Sequence, residues 1–139
     1  ATGAFLEVKP EHSREHFARA VMEGIVFELK ASFPLFEKAT GQRMELVRVV
    51  GSQNALWEDI RAAIYERPVE ISAHEDMVTM GTALLAGLGA RIYSSPQEAI
   101  SMTYKSKRLI QPDKKWQALY HAPFGRYLKY REALRKSRS

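Results

Sequence analysis

The chain has 139 residues, enough for one domain with its own core and too few for two. Hydrophobic residues make up 45% and charged residues 27%, as in ordinary globular proteins, and no apolar run approaches the roughly 20 residues that span a bilayer. The absence of cysteine excludes disulfides and thiolate metal sites. It is compatible with a reducing compartment, and we expect a cytoplasmic location.

The net charge of +5 raises the question of nucleic-acid binding. Acidic and basic residues are mixed through most of the chain, and the basic excess gathers in residues 105–115 and 126–138. A charged C-terminal helix is usually a solvated face. We therefore expect neither a nucleic acid nor a membrane as a partner.

The N-terminal part predicts one long helix. An apolar segment at residues 5–8 precedes it as an edge strand or an extended lead-in. Apolar residues at helical spacing predict the helix over residues 12–39, with Ser13 as its cap. Pro34 predicts a kink or an end of the regular helix near Ser32.

Residues 45–62 organise the rest of the chain. A β-branched run predicts a strand over residues 44–50, followed by a small polar turn at 51–53 and a helix over 54–66 with Asn54 as its N-cap. Such a turn presents unpaired backbone N–H groups and the positive end of a helix dipole at the carboxyl end of a strand. It is a common ligand site in α/β proteins. It is also the ordinary way for a strand to join a helix.

A second strand and a helix rich in small residues follow. The strand is predicted over residues 69–71, and Ser72, with a glutamate three positions later, has the capping-box pattern of a helix start. Small residues fill this helix at 80–87, which favours a close approach to another backbone, and Gly87 and Gly89 end it.

The C-terminal third predicts two more helices. A capping box at Ser95 starts a short helix that runs to about Met102. Residues 103–115 are basic and predict a loop, and the last helix covers residues 113–136, with 123–125 as a candidate break. Two or three strands are too few for an independent α/β sheet. The chain therefore either belongs to a larger sheet or completes one by oligomerising.

Other chemistry-bearing residues predict no catalytic or metal site. His12 and His16 have the i, i+4 spacing of metal ligands, but no third ligand is evident. Glu23 lies in an apolar face and requires a partner, such as a backbone N–H or an arginine. Glu58 and Asp59 are expected on the solvent side of their helix, and no nucleophile–base pair is visible.

Several motifs resemble the C-terminal part of the FGGY carbohydrate kinases, which include xylulose, ribulose, gluconate and glycerol kinases. Gly3-Ala4-Phe5 and the run RAVMEGIVF at 19–27 resemble the family signature, and VVGSQNALW at 49–57 is similar to its nucleotide loop, GGGSKNPLW. Further similarities, in the family's order, are Glu75, residues 80–86, residues 95–99, Pro112, Tyr120 and Tyr127.

The resemblance implies an α/β fold, namely the helix-rich C-terminal part of an RNase H-like lobe of the actin-like ATPases, with few strands. Residues 1–139 would form one segment on the nucleotide side of the cleft, roughly the last third of such a kinase. The catalytic aspartate and the sugar-binding lobe would lie upstream. The chain alone is therefore not expected to phosphorylate a substrate.

The implied activity of the parent kinase is transfer of the γ-phosphoryl group of MgATP to a hydroxyl of a sugar or polyol. This segment would bind the adenosine side of ATP or ADP, with Mg²⁺, through Gly51, Ser52 and Asn54 of the turn. Gly81 would lie at a helix start behind it. The sugar would be bound by parts outside this segment.

The resemblance breaks at Val49 and Val50, where the family has glycines. β-branched residues disfavour conformations with positive φ and add bulk where adenine or ribose would lie. Asn54 is also, on local grounds, an ordinary N-cap. The alternative hypothesis is a non-catalytic fragment or degenerate kinase lobe, a structural domain that is stable through self-association as a homo-oligomer.

Overall fold

The computed structural model describes residues 3–51 and 54–136, which form helices around a small sheet. In chain order the elements are α1 (Arg14–Thr40), β1 (Val47–Val49), α2 (Ala55–Tyr65), β2 (Val69–Ser72), α3 (Met77–Gly89), α4 (Pro96–Thr103), β3 (Ser106–Ile110) and α5 (Lys114–Lys136). The predicted excess of helix over strand is confirmed.

The sheet has the strand order β1-β2-β3. β1 and β2 are parallel, with Val47 opposite Val69, and β3 runs antiparallel to β2, with Ile110 opposite Val69. Because the two parallel strands end at the same side, the segments after Val49 and after Ser72 lie at one edge, called here the carboxyl edge. On its other side β1 has no strand partner among the described residues.

The core lies between one face of the sheet and the helices α1, α2 and α5. Its most deeply buried large side chains are Val26, Ile60, Ile64 and Val69. Phe27 of α1 contacts three aromatic rings of α5, with ring centroids 5.4 to 6.1 Å apart. Burial of these apolar side chains fixes the three helices on the sheet.

The opposite face of the sheet is polar. Glu70 alternates with the buried Val69 and Ile71 along β2, so its side chain lies on this face. Its carboxylate accepts hydrogen bonds from Arg48 Nε at 2.7 Å and from the Tyr104 hydroxyl at 3.0 Å. These contacts join β1, β2 and the segment before β3.

Helices α3 and α4 pack against each other. A Cβ atom at Gly87 would lie 2.6 Å from Cε2 of Tyr93, so the close approach expected of this helix occurs there. The close neighbour is a side chain and not another backbone. Val78 and Leu85 of α3 remain exposed.

Neither proline ends its helix, so the predicted end near Ser32 and the candidate break at 123–125 are absent. α1 continues through Pro34 to Thr40, and α5 continues through Pro123 to Lys136. Each proline removes one helical hydrogen bond. Tertiary contacts of their neighbours, among them the buried Phe33 and the ring of Phe124 on Phe27, hold the helices through these positions.

The predicted loop at residues 103–115 is wrong, because Ser106–Ile110 is a strand. Its side chains are mostly exposed and show no apolar alternation, so pairing with β2 creates the strand without a sequence signal. β1 is shorter than predicted, at residues 47–49. Residues 3–13 contain no strand, so of the two predicted alternatives the extended lead-in is the one observed. The ring of Phe5 contacts that of Phe17 edge-on, with centroids 5.1 Å apart.

The predicted capping box at Ser72 is also wrong. Ser72 is buried at the end of β2, where its hydroxyl oxygen accepts the N–H of His74 at 3.0 Å. Asp76 caps α3 instead, since its Oδ1 accepts the N–H of Thr79 at 2.9 Å. At α4, by contrast, the predicted cap is confirmed, with the hydroxyl of Ser95 accepting a backbone N–H at 3.2 Å.

Candidate functional site

The turn after β1 requires glycine at one position. Gly51 has φ +66°, in the left-handed region that side chains rarely adopt, and the space around it is open. A substitution there would strain the backbone without a steric clash. Ser52, predicted to belong to the same site, lies outside the described residues.

Asn54 is the N-cap of α2, as predicted. Its Oδ1 accepts the N–H of Trp57 at 3.0 Å, and its backbone carbonyl accepts the N–H of Glu58 at 3.1 Å. The side-chain oxygen is therefore committed to the helix. A ligand contact by Asn54 would come from its carboxamide nitrogen.

Valine is compatible with the backbone at both positions before Gly51. Neither Val49 nor Val50 has a positive φ, and Val49 pairs with Ile71 as the last residue of β1. The requirement for glycine thus falls on Gly51. Val50 is about half exposed and adds its bulk at the carboxyl edge.

A second helix also begins at the carboxyl edge. β2 ends at Ser72, and α3 starts at Met77 after a short loop. The loop is fixed by a 2.9 Å hydrogen bond between His74 Nε2 and the carbonyl of Thr103. The N-termini of α2 and α3 therefore both lie at this edge, and their dipoles favour negative charge there.

Gly81 lies inside α3, five residues into the helix and not at its start. A side chain at this position would meet open space. Of the predicted site residues, Gly51 and Asn54 flank one turn, and Gly81 is on the helix that begins at the same edge of the sheet.

Glu58 is buried, contrary to the prediction of a surface charge, and it forms an ion pair with Arg108 of β3. Asp59 is exposed, as predicted. A sequence signal for Glu58 existed, because it shares a helix face with the buried Ala62 and Tyr65 at i+4 and i+7. Its partner carried no such signal, since β3 was not predicted.

Glu23 has the arginine partner that its position required. Its Oε1 accepts from Arg19 Nε at 2.5 Å and from the Tyr120 hydroxyl at 2.9 Å. Burial, above all, raises the pKa of Tyr120, so its hydroxyl remains a donor. This cluster joins α1 to α5 and has a structural role.

Among the described residues, His12 and His16 have no third side chain that would complete a metal centre. The rings of His12 and His16 stack with centroids 5.2 Å apart, and His12 Nδ1 accepts the N–H of Lys9 at 3.2 Å. Within residues 3–51 and 54–136 no group of three histidine, aspartate or glutamate side chains could hold a metal ion. Over the same ranges, no helix is both long and apolar enough to cross a membrane.

A cavity of about 320 Å³ lies away from the carboxyl edge, between α1, the end of α2 and α5. Its charged walls are already paired: Lys30 Nζ is 2.5 Å from Glu66 Oε1, and Arg67 Nη2 is 2.9 Å from Glu37 Oε1. We therefore do not assign the nucleotide to this cavity.

Comparison with known proteins identifies the family. The model of the C-terminal domain of the FGGY family of carbohydrate kinases matches residues 1–90. The chain belongs to this family. The match includes the turn at Gly51 and Asn54 and the whole of α3.

Relatives of this FGGY-family chain include two bacterial xylulose kinases. That of Bacillus subtilis (strain 168) is 31% identical over 112 residues, which are 79% of this chain and 22% of the relative. That of Staphylococcus epidermidis is 26% identical over 127 residues, 90% of this chain and 25% of the relative. The chain thus spans about a quarter of the length of these relatives.

The fold prediction is confirmed by the structural relatives. The crystal structure of gluconate kinase from Lactobacillus acidophilus superposes with a TM-score of 0.80 at 25% sequence identity. The superposition covers 96% of this chain and 27% of the gluconate kinase chain. The FGGY sugar kinases have the actin-like ATPase fold. The three-stranded sheet with its helices is therefore part of such a lobe.

Proposed function

We propose that this chain forms the adenosine side of the nucleotide site of an ATP-dependent carbohydrate kinase. The parent enzyme would transfer the γ-phosphoryl group of ATP to a hydroxyl of a sugar or polyol bound elsewhere in the kinase. Bound Mg²⁺ would neutralise charge on the phosphates during transfer. We place this activity in the cytoplasm and expect no nucleic-acid partner.

One observation carries the proposal. The turn that needs glycine at Gly51, the capped start of α2 and the start of α3 all lie at the carboxyl edge of one sheet. Backbone N–H groups and helix dipoles at such an edge favour an anionic ligand such as a nucleotide. Because neither Val49 nor Val50 has a positive φ, valine is compatible with the backbone at these two positions before the turn.

The capping carboxylate at this edge is suited to holding the start of α3 and not to proton transfer. Asp76, the carboxylate nearest to the start of α3, accepts from the hydroxyl and the N–H of Thr79, and these bonds lower its pKa. A carboxylate held in this way is a weak base. We therefore assign the general base to another part of the kinase.

An alternative proposal is a non-catalytic, self-associating domain. Val21, Ile25 and Leu29 form a stripe along α1, and each side chain is about half exposed. β1 also lacks a second strand partner among the described residues. This surface is expected to pack against the remainder of a kinase lobe or against a second copy of the chain.

Calorimetric titration of the chain with ATP and ADP in the presence of Mg²⁺ tests the proposal. We expect saturable binding that Gly51→Val weakens. Gly41→Val is the matched control, because Gly41 has φ +67° and open surroundings but caps the far end of α1. It imposes similar backbone strain and should leave nucleotide affinity unchanged.

A second pair of variants distinguishes the loss of a ligand contact from the loss of a helix cap. Asn54→Ala should weaken nucleotide binding, whereas Ser95→Ala, which removes the N-cap of α4, should not. No binding at millimolar nucleotide would reject the nucleotide site in this chain. If no nucleotide binds, an apparent molecular mass that rises with protein concentration would support the self-associating domain.

A further inference from the structure

We propose that the ion pair between the buried Glu58 and the half-exposed Arg108 positions the nucleotide turn, which makes both side chains positioning residues of the site. This inference rests on the proposed function, and it identifies the contact that fixes the position of the nucleotide turn. It concerns the first turn of α2 and its attachment to β3.

Glu58 is coupled directly to the cap of α2. Its side chain is only 5% exposed, and its backbone N–H donates to the carbonyl of Asn54 at 3.1 Å. The same cap residue accepts the N–H of Trp57 through its side chain. A shift of Glu58 would therefore move Asn54 and the turn before it.

Arg108 fixes the other end of the pair near the carboxyl edge. It lies in β3 opposite Ile71, next to the last residue of β2. The ion pair thus ties the start of α2 to the strand on the far side of β2. It sets the distance between the turn after β1 and the end of β2, where the segment leading to α3 begins.

Stability alone does not explain a charge at position 58. Taking a carboxylate out of water is costly, and solvent weakens its attraction to an arginine that is itself 49% exposed. Neighbouring positions on the same helix face, Ala62 and Tyr65, are buried without charge. A buried carboxylate that is bound to one arginine specifies one geometry, and this provides a reason for Glu58.

The opposite end of α2 provides the control. Glu66 caps this end and pairs with Lys30 Nζ at 2.5 Å, but its side chain is 41% exposed and lies far from the carboxyl edge. Both glutamates therefore anchor α2 by an ion pair. Only Glu58 is near the nucleotide turn.

The test compares Glu58→Leu with Glu66→Leu by calorimetry with ADP and Mg²⁺ and by thermal unfolding. Because the Arg108 side chain is 49% exposed, water solvates its guanidinium group when Glu58 is replaced. We therefore expect Glu58→Leu to keep the unfolding temperature while its dissociation constant for ADP rises about tenfold. Glu66→Leu should leave that constant unchanged. Arg108→Lys, which retains the charge, should retain more affinity than Arg108→Gln.

Amide hydrogen exchange provides a readout that does not need the nucleotide. The N–H of Trp57 is bonded to Asn54 in the cap. Its exchange rate should rise in Glu58→Leu and stay unchanged in Glu66→Leu. Unchanged exchange together with unchanged ADP affinity in Glu58→Leu would overturn the inference. Equal loss of affinity in both leucine variants would overturn it as well. Absence of ADP binding to the unmodified chain would reject the proposed function, and the inference with it.

Discussion

The hydroxyl of Tyr120 donates to Glu23 Oε1 at 2.9 Å and joins α5 to α1 across 97 positions of the chain. The same hydroxyl accepts from Arg19 Nη2 at 2.5 Å. Tyr120 is buried, and its ring meets Phe27 edge-on with centroids 6.1 Å apart. One side chain thus satisfies a partly buried carboxylate and also packs in the core.

Removal of that hydroxyl should destabilise the protein. We expect Tyr120→Phe to lower the free energy of unfolding by about 1 to 2 kcal/mol, because a hydrogen bond to a charged group is lost at a partly buried site. Tyr130→Phe is the control, since its hydroxyl binds Glu7 at the surface. Urea denaturation of both variants checks the difference, and equal effects would contradict it.

Tyr127 should titrate unusually late. Burial, and then its hydrogen bond to Glu28, raise the pKa of Tyr127 to about 12 from 10.0. The folded state therefore holds this proton more tightly than the unfolded state. The contribution of this proton to the free energy of unfolding should be fully present below pH 10 and should be lost as the pH rises toward 12.

The ultraviolet absorbance of tyrosinate, followed against pH, checks this value. The titration step near pH 12 should be absent in Tyr127→Phe. In Glu28→Gln the pKa of Tyr127 should fall but remain above 10.0, because burial is the larger cause. A titration of Tyr127 near 10 in the folded, unmodified protein would show that the side chain is not held as described.

The two interior glycines of α3 should respond oppositely to alanine. Gly81→Ala meets open space and should raise the free energy of unfolding by about 0.5 to 1 kcal/mol, the usual gain in helix propensity. Gly87→Ala would place its Cβ 2.6 Å from Cε2 of Tyr93 and should destabilise the packing of the segment between α3 and α4 on α3. Thermal unfolding compares them. If Gly81 contacts the nucleotide, its variant should also bind ADP more weakly despite its higher stability.

The apolar stripe on α1 should drive self-association of the isolated chain. Ile25→Glu places a charge in the centre of the stripe and should reduce the fraction of dimer or larger species in sedimentation velocity experiments. Leu119→Glu is the control, because Leu119 is a more exposed apolar residue of α5 outside the stripe. Equal effects of both variants would mean that the association is not specific to α1.

Local sequence determined several features of this protein. The β-branched run before Gly51 indicated β1, and the cap at Asn54 indicated the start of α2, because these signals come from neighbouring residues. The cap at Ser95 was predictable for the same reason. The order of motifs was enough to indicate the family, which the comparisons confirm.

The tertiary structure alone decided the remaining features. β3 is a strand only because β2 pairs with it, and α1 and α5 pass their prolines because side chains distant in sequence hold both sides of each helix. The partner of Glu58 is Arg108, 50 residues later, because the fold brings β3 within reach of its carboxylate. Each of these outcomes depends on a contact between segments far apart in the chain, and such contacts leave no local periodicity to be read from the sequence.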